Sequence, residues 1–476
     1  MLRSRITARC SSLVLVCLAA ACGSSTSGHG SSAEDGGTKP DGEAEVDSGN
    51  GPDSRAPSED AGASGDATAD AEPASGDATP GDGAGADTRA HDGGAPDAAE
   101  DGPFVVVTHA PQPQVTDLGG SVLTTPKVQL IVYTADTTAP AIDGMVTELT
   151  QTATWATQTA EYGVGALSRL PTIQIAGTPP TTIDDNFNGS GNSAFQQTLV
   201  NNTTGASPAW GAADPSTIYM FVLPLGTNIE SAGSCCIDFL GYHYEVTAGS
   251  VDVSYAIACD CGVIQGYPLT AAQWVETTVS HELVEAATDP HPYSAPAYIQ
   301  EDSNDTIWAY ATGGEVADMC EFNVDSNYIP PASTYMIQRT WSNAAAAAGT
   351  NPCVPVPPTG PFFNSMAVLP DTFALEGVTT AGVEIPVGMS KTIDVQLYSA
   401  APTSGPWKVT AYDLDAFLGK TANTTVSLDN TMGSDGDVLH LTIQVTSADT
   451  NLGGEGFVLV SDLNGQENIS VGAVGN

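Results

Sequence analysis

The chain has 476 residues, of which 56 are Asp or Glu and only 12 are Lys or Arg, so its formal net charge is -44. This excess of negative charge argues against a nucleic-acid partner, because binding to phosphates needs clustered cations. The negative charge also argues against electrostatic docking on anionic lipid. The length of the chain is sufficient for two or three domains.

Residues 1–22 predict an export signal that ends in a lipidation site. Arg3, Arg5 and Arg9 form a basic segment, and the apolar stretch that follows is too short to span a bilayer. Small residues directly before Cys22 are typical of a bacterial lipoprotein signal, in which this cysteine carries the lipid. An ordinary cleaved signal peptide is the alternative. We expect an exported protein that is lipid-anchored at the cell surface or outer membrane, or secreted if Cys22 is not lipidated.

Residues 23–102 consist mainly of Gly, Ala, Ser, Asp, Thr and Pro, with almost no large apolar residue. Such a segment cannot bury enough apolar surface to offset the entropy lost when the chain is ordered. We therefore predict a disordered acidic tether that joins the lipid anchor to the folded part of the protein.

Residues 103–355 alternate strand patterns with helix patterns, which predicts an α/β or α+β domain with a mixed sheet. The strand patterns are at 127–134, 172–175, 216–224, 240–247 and 251–258, and the last two of them predict a hairpin. Helical spacing of apolar residues occurs at 139–164 and 193–202.

The stretch DDNFNG (184–189) begins like a calcium-binding loop, with Asp184, Asn186 and Asn188 at alternate positions. The twelfth position of this loop is Phe195, where such a loop needs Glu. We interpret the stretch as a turn, with calcium binding as the alternative.

A further helix is predicted from about Thr270 to Thr288. Thr270 and Gln273 fit a capping box, in which each side chain satisfies a backbone N–H of the other residue. The dipeptide Asp289-Pro290 disfavours continuation of the helix.

This helix carries the stretch VSHELVEAATDP (279–290), which contains His-Glu-x-x-Glu. His281 and Glu285 are four residues apart and therefore lie on one helix face, at the spacing of two metal ligands in a zincin. Glu282 points beside that face, where a carboxylate acts as a general base on water. The alternative is that these side chains are structural or solvated helix residues.

A third ligand is expected from GGEVADMCEF (313–322), in which Glu315 and Asp318 face one way on a helical turn. We assign Glu315 as the ligand and Asp318 as the residue that orients a ligand histidine, with the reverse assignment left open. His291 is another candidate, because it follows His281 at the third-ligand spacing of metzincins. The set predicts a zinc site, and its many oxygens leave Mn²⁺ or Fe²⁺ as alternatives.

Residues 362–476 have short alternating apolar runs broken by Gly, Asp, Asn and Thr, which predicts a second, all-β, sandwich-like domain. In the exported part of the chain, six cysteines besides Cys22 predict three disulfides. We expect the Cys235-Cys236 cluster to pair with Cys259 and Cys261, and Cys320 with Cys353. A cysteine-ligated zinc is the alternative.

Several segments occur in a fixed order: CCIDFLGYHYEV, SYAIACDCG, TDPHPYSAPAY, EVADMC and QRTWSN. Over roughly residues 125–355 the chain thereby resembles the phosphate-induced, or exordium-like, family of secreted proteins, and bacterial proteins with a zincin-like His-Glu-x-x-Glu motif. The resemblance implies an extracellular fold and a role in growth or cell-surface signalling. The family also carries the histidine of the Gly-Tyr-His segment, here His243. We interpret His243 as a transition-state stabiliser, with a hydrogen-bonded strand histidine as the alternative.

These patterns together favour a cell-surface lipoprotein with a zincin-like domain that hydrolyses a peptide or another cell-surface polymer. A less positive metal polarises a carbonyl less, so the carboxylate ligand in place of histidine predicts slow hydrolysis. One alternative is a non-catalytic exordium-like binding or structural protein, in which the metal is a structural element. Another is a cell-wall carbohydrate binder that acts through residues 362–476.

Overall fold

The computed structural model describes residues 104–185, 193–230, 234–300, 302, 304–331, 333–375, 377–448 and 454–476. Cys22, the tether at 23–102 and the calcium-loop residues Asn186 and Asn188 lie outside these residues. The described residues form a mixed α/β structure with more strand than helix and several sheets, which confirms the predicted mixture of elements. Within them, no helix combines the length and the apolar character needed to cross a membrane.

The elements before residue 355 include all the longer helices. The α-helices are α1 (Ala139–Leu149), α2 (Thr154–Thr159), α3 (Ala194–Thr203), α4 (Ala271–Thr288), α5 (Ile307–Thr312) and α6 (Asn343–Ala347). The strands are β1 (Thr116–Asp117), β2 (Lys127–Tyr133), β3 (Ser168–Arg169), β4 (Ile173–Ile175), β5 (Thr182–Asp184), β6 (Thr217–Leu223), β7 (Asn228–Glu230), β8 (Gly241–Ala248), β9 (Val251–Cys259), β10 (Tyr298–Ile299), β11 (Asn327–Tyr328), β12 (Ile337–Gln338), β13 (Thr340–Trp341) and β14 (Cys353–Val354).

The main sheet of this part has the order β3-β2-β6-β9-β8, with β4 also paired to β2. All its pairs are parallel except β8 with β9, which form the predicted antiparallel hairpin at the edge. The central strand β6 is buried along its whole length, as expected for a parallel strand covered on both faces. Strand β8 of this edge hairpin carries His243, opposite Ala256 of β9.

The helical pattern at 139–164 does not form one helix. Helix α1 ends at Leu149, α2 begins at Thr154, and a 3₁₀ turn covers Ala160–Tyr162. The hydroxyl of Thr150 donates to the Thr147 carbonyl, and such side-chain bonds to the backbone compete with helix continuation. Apolar spacing alone did not show this break.

Helix α4 begins and ends where its sequence predicts. The side chain of Thr270 accepts from the backbone N–H of Gln273, the Gln273 side chain accepts from the Thr270 N–H, and Asp289 is the C-cap. The helix contacts β6, β8, β9 and β12, as well as α1 and α2. It is buried on nearly all faces, so its polar residues lie inside the protein rather than along an open cleft.

The elements after residue 355 are almost all strands. They are β15 (Phe363–Ala367), β16 (Asp371–Leu375), β17 (Val378–Glu384), β18 (Ser390–Ser399), β19 (Trp407–Asp413), the short helix α7 (Leu414–Phe417), β20 (Thr424–Leu428), β21 (Met432–Gly433), β22 (Val438–Val445), β23 (Gly454–Leu463) and β24 (Gln466–Gly475). They form a sheet of order β15-β18-β22-β20 and another of order β16-β17-β24-β23-β19-β21. Apolar residues from both sheets share one core.

A second apolar cluster extends from the α/β part into this β part. It includes Ile307 and Trp308 of α5 together with Leu414 and Phe417 of α7. The ring of Phe417 also lies edge-on against Phe322, with 5.8 Å between ring centroids. Burial of these side chains therefore ties the two parts to each other.

Six cysteines form three disulfides: Cys235–Cys259, Cys236–Cys261 and Cys320–Cys353. The two cysteine clusters pair with each other as predicted, and the structure adds which cysteine of one cluster joins which of the other. The first two disulfides close the loop before β8 onto the end of β9. The sulfur atoms of Cys235, Cys236 and Cys261 are close enough to hold a metal, but all three are oxidised here. A disulfide sulfur is not the thiolate that zinc binds, so this geometry supports the disulfide interpretation.

Candidate metal centre

Six titratable side chains meet where α4, β8 and the segment 313–320 come together. The members of this polar cluster are His243, His281, Glu282, Glu285, Glu315 and Asp318. Each of them was singled out in the sequence, and the fold brings all six within contact distance of a neighbour. Four carboxylates against two imidazoles leave the polar cluster negative unless it takes up protons or a cation.

His281, Glu285 and Asp318 form the first trio. Nε2 of His281 lies 3.0 Å from Oε2 of Glu285 and 3.3 Å from Oδ1 of Asp318. The ligand atoms of the trio all lie within 4.8 Å of one another, as needed for one shared cation. The backbone N–H of Asp318 also donates to Oε1 of Glu285 at 3.2 Å, which fixes the downstream segment against the helix.

The second trio is His243, Glu282 and Glu285, again with ligand atoms within 4.8 Å of one another. Nε2 of His243 lies 3.0 Å from the carbonyl oxygen of Asp289. Because a carbonyl only accepts, this nitrogen carries the proton, and the lone pair is on Nδ1. Nδ1 lies 3.7 Å from Oε2 of Glu285 and 3.9 Å from Oε2 of Glu282. The predicted transition-state role of His243 would need a donor at that second nitrogen, and it stays a prediction.

Glu315 contacts His243 and not the predicted metal ligand His281. Its Oε1 lies 3.6 Å from Nε2 of His243, whereas Asp318 contacts His281 directly. The geometry therefore favours the reverse of the first assignment, with Asp318 in the trio and Glu315 beside it. His291 lies apart from the polar cluster, with Nδ1 3.0 Å from Oε2 of Glu245. That carboxylate also accepts from Ser294, so His291 belongs to a separate polar contact.

Burial and neighbouring charges shift the pKa values of the polar cluster in opposite directions. Burial lowers the pKa of His243 to about 4, which keeps its imidazole neutral. Burial opposes charge on His281, but Glu285 and Asp318 raise its pKa well above the usual value. Burial raises the pKa of Glu282, and burial with the nearby charge of Glu285 raises that of Asp318. His243 thus offers a lone pair, and His281 is held between carboxylates.

Three residues that were not among the predicted site residues shape this centre: Gly241, Gly313 and Gln338. A Cβ on Gly241 would lie 2.7 Å from Oε1 of Glu282, and a Cβ on Gly313 would clash with the Asp318 carboxylate. Gly313 also has a φ of 111°, a conformation that favours glycine. Gln338 donates from its backbone to the Ser280 hydroxyl and from its side chain to the Ala317 carbonyl. The paired glycine at 313–314 was the one local signal available.

The donor set fits a first-row divalent cation. Imidazole nitrogen and carboxylate oxygen are ligands of Zn²⁺, and carboxylates also suit Mn²⁺. Oε2 of Glu282 is buried without a hydrogen-bond partner, which is costly for a carboxylate unless a cation or proton compensates it. The described residues do not support calcium binding at 184–195. Phe195, which occupies the position where the loop needs Glu, is buried in the core.

No family model matches the chain, and no curated protein matches it either. Among solved structures, domains 1–6 of the surface layer protein SbsC are similar over 23% of this chain, at 18% identity and a TM-score of 0.15. The chain spans 13% of that protein's length. A likeness of this size carries no argument about fold or function, so the site has to be interpreted from its own geometry.

Proposed function

We propose that the protein is a cell-surface lipoprotein with a zincin-like, zinc-dependent peptidase domain. The observation that carries the proposal is the first trio, in which one nitrogen of His281 lies 3.0 Å and 3.3 Å from two carboxylates. Further support comes from the mixed sheet and the helix packed on it, because the antiparallel edge hairpin of the sheet and helix α4 both contribute residues to the polar cluster. The predicted export signal supports a location outside the cytoplasm.

His281, Glu285 and Asp318 would hold the zinc, which supplies a Lewis acid for a peptide carbonyl and its attacking water. Glu282 lies next to the trio with an unpartnered oxygen, so it accepts the proton of that water as the oxygen adds to the carbonyl carbon. When the C–N bond breaks, the same carboxyl group returns the proton to the leaving amine. Burial raises the pKa of Glu282, so this carboxylate binds a proton more readily than an exposed glutamate does.

A second candidate function is an exordium-like structural or binding protein in which the metal only stabilises the fold. The observation that favours it is burial, since the side chains of Glu282 and Glu285 are 5% and 3% exposed. A substrate reaches such buried groups only if the residues that cover them move. Metal removal would then lower thermal stability, while no peptide would be hydrolysed.

The full chain should bind zinc stoichiometrically, and Glu285→Gln should lose it because both trios share that residue. In a centre that holds a single zinc ion, Glu282→Gln should keep the zinc and lose peptide hydrolysis by roughly 10²- to 10⁴-fold, the usual contribution of a general base. The measurements are elemental analysis and cleavage of a mixed peptide library.

Glu245→Gln is the matched control, because it removes a buried carboxylate beside a histidine outside the polar cluster. It should retain both zinc and activity. Absence of zinc from the parent chain contradicts the proposal. Zinc with no hydrolysis in the parent, together with a melting temperature that falls on chelation, supports the structural candidate instead.

A further inference from the structure

The second trio brings several hydrogen-bond acceptors close together. Three acceptors face one another there: the Nδ1 lone pair of His243 and Oε2 of both Glu282 and Glu285. The proton of His243 is committed to the Asp289 carbonyl through Nε2, so it does not lie between these atoms. Electron pairs that converge in this way repel each other unless a proton or a cation lies among them.

A second observation points to the same position. Glu282 is 4% exposed, and its Oε2 is buried without any hydrogen-bond partner. Its other oxygen lies against Gly241, where a Cβ would come within 2.7 Å. The missing side chain at Gly241 thus gives Glu282 the room to turn Oε2 towards His243.

The orientation of His243 is compatible with that of a metal ligand. Ligating histidines usually donate the other ring N–H to a carbonyl or carboxylate, which fixes the ring and its tautomer. Here the Asp289 carbonyl takes that role at 3.0 Å, directly after the end of α4. The arrangement leaves Nδ1 free to bind a cation.

We propose that His243, Glu282 and Glu285 hold a second divalent cation, so that Glu285 bridges two cations in a dinuclear centre. Oε2 of Glu285 lies 3.0 Å from Nε2 of His281 and 3.7 Å from Nδ1 of His243, between the two imidazoles. The mixture of nitrogen and carboxylate ligands suits Zn²⁺ or Mn²⁺. The inference rests on the proposed function because the first cation is the one held by His281, Glu285 and Asp318.

The second cation changes the assignment of Glu282. As a ligand, Glu282 no longer receives the proton of the attacking water, and the centre belongs to the class in which two cations act on one substrate. Glu282→Gln separates these roles. Loss of one cation supports the dinuclear centre, whereas an unchanged cation content with lost hydrolysis overturns it.

The main test is the number of cations that the full chain binds after dialysis against Zn²⁺ or, separately, Mn²⁺. We expect two per chain for the parent, one for His243→Gln and one for Asp318→Asn. Glutamine keeps an N–H donor for the Asp289 carbonyl and removes the imidazole lone pair. His291→Gln, the matched control, should keep two because His291 contacts Glu245 instead.

One cation in the parent, lost in Asp318→Asn and kept in His243→Gln, overturns the second site and leaves the proposed function standing. No cation in the parent overturns both proposals. Electron paramagnetic resonance of the Mn²⁺-loaded parent tests the inference without any variant. A spin-coupled pair supports it, and an isolated Mn²⁺ signal at saturation overturns it.

Discussion

At the scale of single residues, glycines decide how closely the polar cluster can assemble. Gly241 lies at the start of β8, where a Cβ would meet the Ile257 carbonyl and the Thr278 methyl group at 2.6 Å each. The same Cβ would lie 2.7 Å from Oε1 of Glu282. A side chain at this position would push Glu282 away from His243.

Gly241→Ala should therefore lower both cation binding and stability, by roughly 1–3 kcal/mol for the overpacking. Urea unfolding and elemental analysis measure the two effects. Gly456→Ala is the matched control, because its Cβ would be crowded by Leu414 and Ile307 in the apolar core. The control should lose stability and keep its cations. A Gly241→Ala protein with the parent's cation content would contradict the steric argument.

At the scale of elements, helix α4 combines strong local signals with costly burial. Its capping box and its end at Asp289 are local features, so the sequence predicts its bounds. Its burial on nearly all faces depends on the hairpin of β8 and β9, which precedes it, and on the segment that contains Gln338, which lies far beyond its end in the chain. Buried carboxylates on such a helix cost stability unless they are compensated.

Glu276 on this helix gives a pH-dependent prediction outside the polar cluster. Burial raises its pKa, although its Oε2 accepts from the Met336 N–H at 2.9 Å, and the charge of Glu148 raises it further. A folded pKa above the unfolded value means that ionisation costs stability. This cost is absent below the unfolded pKa and grows as the pH rises through the folded pKa.

Glu276→Gln keeps an oxygen for the Met336 N–H and removes the charge. The variant should melt at the same temperature as the parent near pH 4 and at a higher temperature near pH 8, as measured by circular dichroism. Glu384→Gln, at an exposed position, controls for the loss of one charge from an acidic protein. A gain of equal size at both pH values would refute the explanation.

At the scale of the whole molecule, the apolar cluster that joins α5 to α7 predicts one cooperative unfolding transition for residues 104–476. Phe417 is 6% exposed and contacts Phe322 across the two parts. Phe417→Ala should cost about 3–5 kcal/mol, as for other buried phenylalanines, and should shift the whole calorimetric transition. Phe363→Ala, inside the core of the β part, should shift the same transition. Two resolved transitions, with only the β part responding to Phe363→Ala, would show that the parts unfold independently.

Features that depend on near neighbours were predictable from the order of residues. These are the bounds of α4, the hairpin of β8 and β9, the mixture of strands and helices, and the ligand-type residues at a helical spacing. Capping, turn formation and apolar periodicity involve residues a few positions apart, so they can be predicted from the sequence. The pairing of one cysteine cluster with the other was also predictable, because neighbouring cysteines rarely close on each other, but the individual pairs within the two clusters were not.

Which of these residues meet, and how they face each other, follows from the packing of the folded chain. It brought Asp318 rather than Glu315 to His281, turned Nδ1 of His243 towards Glu282, and buried the polar face of α4. It also divided the helical pattern at 139–164. The physical reason is that these outcomes depend on packing between segments remote in the chain, and on space left by residues such as Gly241 and Gly313.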